Sequence, residues 1–558
     1  MARRTVPGGL RAVPGATAGT VRPFGDSALL VDVDGPEAAR ALSAAVRAEA
    51  WPGVVDVAGG FTSVVVTVEP RRVDPDALAE PLAALGADPP PLPPGRRVVL
   101  PASFDGEDLA EVAAAAGCSE EAVVEMLTAA ELTVAVVGFS PGFAYLSGLP
   151  EPLQRVARRP APRPSVPPGS VALAGGLAAV YPHATPGGWQ LVGRTERTLF
   201  DPDHPPFSLL GPGDRVRFTP VDPAASGRRP APARRRPWRV AGTAALAVED
   251  PGLLSLVQDA GRTGVAHLGV SRAGPADPVS HRLANELVGS PADGACLEIT
   301  ARGPVLVSRS DLHVAVVGGD PRVEVDGREV PVGRVVPLGA GQRLVVGTTT
   351  DGWRAYLGVE GGLAPAPVLG SRATDTLAWI GPGPLVPGDE LAVGHRHRPL
   401  GGHLPAHPGW PPPDGRPLRV LPGPDSGWFP PGEFERLAGA RFAVEAPSNR
   451  VGVRLRPLDG AGPSRRPGEL ASHPMVLGAI QVPPAGHPVV LGPDHATLGG
   501  YPVLAVVIAA DRAVLGQCRP GDEVRLVPVG AEEAAAALGR LERLLADAVR
   551  GRYPVVSG

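Results

Sequence analysis

The sequence predicts a mainly β protein with α+β parts, and three observations carry that expectation. From about residue 133 onward, short apolar runs alternate with Gly- and Pro-rich turns, the spacing of β-barrel or β-sandwich domains. A turn-then-strand theme recurs: Gly211-Pro212-Gly213-Asp214 before Arg215–Phe218, Pro387-Gly388-Asp389 before Glu390-Leu391, and Pro520-Gly521-Asp522 before Glu523–Leu526. A weaker copy is Gly339-Ala340-Gly341-Gln342 before Arg343-Leu344. Gly and Asp favour the turn and a period of two marks the strand, so each copy reads as the closing strand of a successive β-unit. At the front, residues 21–95 mix helix and strand in a β-α-β-β-α order, which is that of a small α+β layer.

Taken in order, residues 1–20 are rich in Gly, Pro and Arg without periodicity and read as a disordered, frayed tail. Ser27–Val33 reads as a strand, 36–50 as an Ala-rich helix, Ser63–Val68 as a strand and the stretch near 75–85 as a second helix. The Pro-rich break Pro89–Pro94 closes this subdomain, and residues 96–220 form the next. It opens with two short helices over 107–130, joined by a Gly-Cys-Ser turn; Ser119 is placed to cap the second, and Glu120 and Glu121 suit its positive end. The pair is shaped like a DNA-binding helix-turn-helix, but residues 105–131 hold eight carboxylates and no arginine. A polyanion would be repelled, so no nucleic-acid partner is expected. Residues 221–240, rich in Pro, Ala and Arg, read as a linker, 241–394 as a β-domain, 395–417 as a second linker and 418–530 as a second β-domain. A helix over 531–552 follows, with Leu538, Leu541, Leu545 and Val549 on one stripe.

At 558 residues the chain exceeds what one hydrophobic core supports. The formal net charge of −4 gives no global pull toward nucleic acid or anionic membrane. No apolar run reaches the roughly 18 residues that span a bilayer, and no apolar segment follows Arg3 and Arg4. Neither a membrane span nor a secretory signal is therefore expected. Cys118, Cys296 and Cys518 lie too far apart for a disulfide framework or a zinc pattern. All 53 basic residues are arginine. Without lysine there is no Schiff-base amine, no P-loop lysine and no attachment point for biotin. Any phosphate must be held by arginine, backbone N–H groups or a metal.

Gly138-Phe139-Ser140-Pro141-Gly142 matches the G-x-S-x-G formula of a nucleophile elbow. The residue after the serine must lend its N–H to the oxyanion, and Pro141 has none, so a serine hydrolase is set aside. His395, His397, His403 and His407 fall within thirteen positions, but in a Pro/Gly-rich stretch without a carboxylate or cysteine; a solvated linker is expected there rather than a metal site. Three stretches combine Gly, Pro, aromatic and polar residues as ligand-binding loops do, or as tight barrel corners do. They are Phe139–Leu149, Ser165–Arg194, and Gln258 through Asp277.

A set of motifs goes further. Gly25-Asp26-Ser27-Ala28-Leu29, Gly138–Leu146, Val166-Pro167-Pro168-Gly169-Ser170-Val171, Tyr181-Pro182, Pro186-Gly187-Gly188-Trp189-Gln190 and Gly193-Arg194-Thr195 resemble the carboxyltransferase subdomain once called allophanate hydrolase subunit 1, which is the B subunit of bacterial 5-oxoprolinase. Gln258–Gly264, Leu283-Ala284-Asn285, Leu297-Glu298, Arg354–Leu357, Leu369–Arg372, Ser448-Asn449-Arg450, Gly478–Pro483 and Gly499–Pro502 resemble allophanate hydrolase subunit 2, which is the C subunit of the same enzyme. The match runs in order over about residues 21–530. It implies cyclophilin-like β-barrel domains preceded by a small α+β domain. It also implies ATP-dependent opening of 5-oxo-L-proline to L-glutamate, with Mg2+ accompanying the ATP. A separate partner is implied too, the 5-oxoprolinase A subunit, as is a cytoplasmic location.

On that resemblance, Arg194, Arg262, Arg372 and Arg450 are candidates to hold phosphate or the substrate carboxylate, with His183 and Trp189 beside them. Gln258, Asp259 and Gln481 are candidates to orient the lactam or a water. The sequence departs from the family pattern at Leu127, Leu132 and Leu177, where histidine, tyrosine and glutamine are common. It departs again at Thr497-Leu498, where a Thr-Thr pair is usual. Two other readings share these domains. One is a carboxyltransferase-like component of a biotin-dependent urea or amide carboxylase, which would need a separate biotin carrier. The other is a non-enzymatic regulator of the kinase-inhibitor type.

Overall fold

The fold is that of a computed structural model, with residues 17–222, 244–395 and 416–549 described apart from 461 and 469. Most of the expected tail, nearly all of both linkers, and His397, His403 and His407 lie outside the described residues. The protein is mainly β, in closed and nearly closed barrels and packed sheets. No helix among the described residues is long and apolar enough to cross a membrane.

The front layer is an antiparallel sheet in the order Val21–Pro23, Ala28–Asp32, Ser63–Val68, Val54–Gly59. Ala28–Asp32 is buried at every position, on both faces. Strand alternation explains this. Leu29 and Val31 point to Leu42, Val46 and Leu82 of the helices Pro36–Glu49 and Ala79–Ala87. Ala28 and Leu30 point the other way, to Met475, Val476 and Val506 of the distant last barrel. Gly25 sits at this contact, where a Cβ would lie 2.8 Å from Val506 Cγ1. The front sheet is thus a middle layer, with its own helices on one side and the last barrel on the other.

The second unit is a seven-stranded sheet running from Gln190–Arg194 at one edge to Arg97–Ala102 at the other. Its edges meet where Ser103 and Arg194 exchange backbone hydrogen bonds, so the sheet curls into a nearly closed barrel. The helices Leu109–Ala116 and Glu120–Ala129 plug it with Leu109, Val112, Val123 and Leu127. Ser119 Oγ accepts from the Ala122 N–H as the expected cap. The helix-turn-helix shape is therefore a core element, its apolar stripe turned inward. Leu127 and Leu132 lie in this core, and Leu177 lies in an aromatic cluster with Phe143, Tyr145, Tyr181 and Trp189.

In the third unit, a six-stranded and a five-stranded sheet face each other across Leu246, Val248, Leu297, Ile299, Val314 and Leu357. The helix Pro278–Leu287 packs on the outer face of the five-stranded sheet. The fourth unit is a closed barrel from Arg416–Pro422 to Glu523–Pro528. The helix Ala531–Val549 lies against both.

The recurring turns have one mechanism. Gly213, Gly341, Gly388 and Gly521 all have φ between 86° and 93°, where L side chains are strained. The residue after each closes the turn with its side chain three residues back: Asp214 accepts from Gly211 N–H, Gln342 from Gly339, Asp389 from Val386 and Asp522 from Arg519. Arg215–Pro220, Glu390–Ala392 and Glu523–Pro528 each then pair with the first strand of their unit. The weaker copy does not close a unit. Arg343–Val346 lies inside the six-stranded sheet, between Val323–Val325 and Val305–Ser308, because both edges of the unit's first strand are already occupied by Val305–Ser308 and Glu390–Ala392.

Candidate functional site

The front layer, the third unit, the last barrel and the final helix enclose a cavity of about 660 Å³, a size that suits a small-molecule ligand. The strand Val54–Gly59 presents Asp56, and the end of Ser63–Val68 presents Thr67 and Glu69. The third of the loops singled out from the sequence contributes Ala260, Thr263, Arg272 and Pro275. The last barrel contributes Arg450, His495 and Arg512, and the final helix contributes Leu538, Leu541, Glu542 and Leu545. Both halves of the chain are needed to close the space.

Most charges on this wall are satisfied by one another. Arg450 donates to Glu298 at 2.6 Å and to both oxygens of Asp494 at 2.8 Å. Glu298 also accepts from Tyr356 Oη and from the Ala276 N–H. Burial pushes the Glu298 carboxyl up, but the Arg450 and Arg354 guanidiniums outweigh it and hold the group below its usual range. Glu542 joins Arg71 at 3.2 Å and Arg282 at 3.0 Å, tying the final helix to the front layer and the third unit.

Other groups are poised differently. Burial raises the Asp56 carboxyl to about 6, against the backbone N–H groups of Val57 and Ala266 that its Oδ1 accepts and the charge of Arg272. Burial lowers His281 and His495, so both imidazoles are neutral near pH 7. His281 Nε2 lies 3.1 Å from the Gln258 carbonyl oxygen. Burial also lowers the pKa of Arg272 and Arg512, and neither has a carboxylate within ion-pair distance among the described residues. A neutral histidine next to cations and a carboxyl that titrates near neutrality can bind an anionic ligand and exchange a proton with it.

The residues singled out from the sequence are spread over four places. Arg450 lines the cavity. Gln258 and Gln481 stand one layer behind it: Gln258 Nε2 donates to the Thr374 carbonyl, and Gln481 Nε2 lies 3.4 Å from Sδ of the cavity residue Met475. Asp259, Arg262 and Arg372 form a loop clamp. Asp259 accepts from Ser371 Oγ and the Arg372 N–H, Arg262 donates to the carbonyls of Val368 and Ala373, and Arg372 donates to that of Pro365. Arg194, His183 and Trp189 belong to the front barrel. Arg194 pairs with Asp105 at 3.2 Å, and Trp189 packs edge-on against Phe143 and Tyr145. His183 donates to the Pro141 carbonyl, and burial lowers its pKa to about 4. Sequence reasoning missed Asp56, Arg272, His281, His495 and Arg512. Only the flanking Gly-rich segment of Arg272 carried a signal.

The carboxyltransferase domain family matches this chain twice, subdomains C and D over residues 19–210 and subdomains A and B over residues 268–528. The 5-oxoprolinase B subunit of Escherichia coli O157:H7 is 40% identical over 206 residues, covering 35% of this chain and 94% of that protein. The 5-oxoprolinase C subunit of Escherichia coli K12 is 35% identical over 290 residues, covering 51% of this chain and 92% of that protein. Urea amidolyase of Saccharomyces cerevisiae is 32% identical over 318 residues, but this chain spans only 17% of its length. Among solved structures, that of TTHA0988 is 37% identical with a TM-score of 0.80, covering 91% of this chain and 100% of that one. The Kluyveromyces lactis urea amidolyase structure reaches 29% identity and a TM-score of 0.52 over 57% of this chain and 21% of that one. The chain therefore belongs to the carboxyltransferase-domain family of the 5-oxoprolinase B and C subunits, with subdomains C and D fused ahead of subdomains A and B in one polypeptide.

Proposed function

We propose that this chain is the B/C component of a cytoplasmic, ATP-dependent 5-oxoprolinase, which opens the lactam of 5-oxo-L-proline to L-glutamate together with a separate A subunit. The observation that carries the reading is the pair of relatives named as B and C subunits, each matched over more than nine-tenths of its length. The cavity between the two halves adds support, since it would be the natural place for a shared substrate. A lactam is a stable amide, and ATP makes its opening favourable. The ring carbonyl oxygen attacks the γ-phosphorus and ADP leaves. Water then adds to the activated carbon, the C–N bond breaks to give the amine and an acyl phosphate, and a second water hydrolyses that acyl phosphate to the carboxylate and inorganic phosphate. No lysine is available to hold the phosphates, so arginine and backbone N–H groups would do so. Among the described residues no group of three or more His, Cys, Asp or Glu side chains is placed to hold a metal ion. Mg2+ would accordingly enter on the nucleotide phosphates, with one or two carboxylates completing its shell.

The test is glutamate release from 5-oxo-L-proline by the purified chain with ATP and its cognate A subunit. Glutamate formed only when all three are present is the expected result. No glutamate from a mixture that forms a stable complex would overturn the assignment. A second reading, the carboxyltransferase component of a urea or amide carboxylase, draws on the yeast urea amidolyase match. It requires biotin on another protein, and carboxyl transfer from carboxybiotin to urea would distinguish it.

A further inference from the structure

Six arginines line the cavity between the halves, and two of them differ from the rest. Arg71, Arg282, Arg354 and Arg450 each have a carboxylate oxygen within 3.4 Å. Arg272 and Arg512 have none among the described residues, although both are half-buried. Arg272 donates its Nε to the Ala260 carbonyl at 3.3 Å. Arg512 donates one N–H to Ser27 Oγ, and its buried Nε has no partner among the described residues. The two cations are near enough to repel each other. The carboxylates around them attract both cations without coming within ion-pair distance, and each has a hydrogen bond of its own. Asp56 accepts two backbone N–H groups, Asp26 accepts that of Ala509, and Glu69 is hydrogen-bonded to Arg71 at 2.8 Å. A guanidinium does not shed its proton to escape burial, so a half-buried pair of like charges without an ion-pair partner persists at a cost that a bound anion would lower.

We propose that Arg272 and Arg512 form an oxyanion subsite of this cavity, which takes the carboxylate of a small cyclic amide acid. The proposal rests on the preceding reading in naming that acid as 5-oxo-L-proline. Two guanidinium forks match the two oxygens of one carboxylate. Val65, Met475, Val476 and Leu515 on the same wall suit the ring methylenes. A nucleotide triphosphate matches less well, because Asp56 and Glu69 on that wall would repel its several charges. The subsite draws on the third unit for Arg272, the last barrel for Arg512 and the front layer for Ser27, so it is complete only when the halves are docked.

Calorimetric binding to the full chain tests this, with 5-oxo-L-proline, its neutral carboxamide, dihydroorotate and inorganic phosphate as probes. The proteins are wild type, Arg272→Gln and Arg512→Gln. The expected result is that 5-oxo-L-proline binds roughly 10- to 100-fold more weakly to either variant, the loss of a charged hydrogen bond. The carboxamide should bind wild type weakly and lose little more in the variants. Equal binding of 5-oxo-L-proline to all three proteins would overturn the subsite and leave the 5-oxoprolinase reading standing. Wild type that ignores 5-oxo-L-proline but binds dihydroorotate through both arginines would retire that reading and keep the subsite. Binding of neither acid, or phosphate as the only probe that needs the arginines, would overturn the carboxylate subsite. Ligand-free melting temperature guards against misfolding: both variants should melt at or above wild type, and a lower value would show that the cations are compensated after all.

Discussion

Arg450 and Glu298 meet at 2.6 Å, both buried, and this pair ties the last barrel to the five-stranded sheet of the third unit. Asp494 shares the same guanidinium. Replacing Arg450 with Met would leave buried Asp494 without its cation and Glu298 with Arg354 alone. The expected loss is about 3–5 kcal/mol of stability, read by chemical denaturation. The same pair sets an acid limit. Glu298 is held below its usual range in the fold, so its contribution is complete above the unfolded carboxylate value and is lost as pH falls through the folded one. Wild type should therefore lose more stability on acidification than Glu298→Gln.

Asp56 has the opposite sign. Its carboxyl rises from 3.8 to about 6 on folding, so between those values the folded protein binds the proton more tightly than the unfolded chain. Stability falls as pH rises through that window and stays reduced above it. Asp56→Asn keeps an oxygen for the Val57 and Ala266 N–H groups and removes the charge. It should be more stable than wild type at pH 7.5, by on the order of 2 kcal/mol, and about equal to it at pH 4. Paired denaturation curves at the two pH values measure the difference.

Asp214 is the side chain that closes one recurring turn, accepting from Gly211 and Arg96 N–H groups and pairing with the Arg96 guanidinium at 2.6 Å. Asp214→Ala should cost about 1–3 kcal/mol by stranding these donors. Asp214→Asn should fall between, since one oxygen acceptor survives. Thermal melts of the three proteins give the order.

Leu177 occupies a buried position in an aromatic cluster. Restoring the glutamine of the family pattern would put an amide where apolar atoms surround it. Leu177→Gln should destabilise by at least about 2 kcal/mol and leave ligand binding in the inter-half cavity unchanged. Denaturation and calorimetry together check both parts.

The recurring turns were legible because their chemistry is local: a left-handed glycine, then a side chain that reaches back three residues. The front helices and the Ser119 cap were legible for the same reason. The cavity was not. Arg512 reaches Ser27 across 485 positions of sequence, and no local pattern records that docking. Arg450 and Arg262 drew notice through the family motifs Ser448-Asn449-Arg450 and Gln258–Gly264. What each one meets, two carboxylates for Arg450 and two carbonyls for Arg262, is set by segments between 44 and 152 residues away. Whether an arginine is already committed depends on tertiary partners, and composition is blind to it.

The front sheet has no face left for solvent, because Ala28 and Leu30 lie against the last barrel. As two separate polypeptides, the halves would have to find each other in equal amounts, and any excess of one would expose an apolar sheet. Covalent fusion fixes the stoichiometry at one to one and turns a concentration-dependent encounter into an intramolecular closure. Dilution should then not dissociate the shared cavity, whereas an assembly of separate polypeptides would lose it.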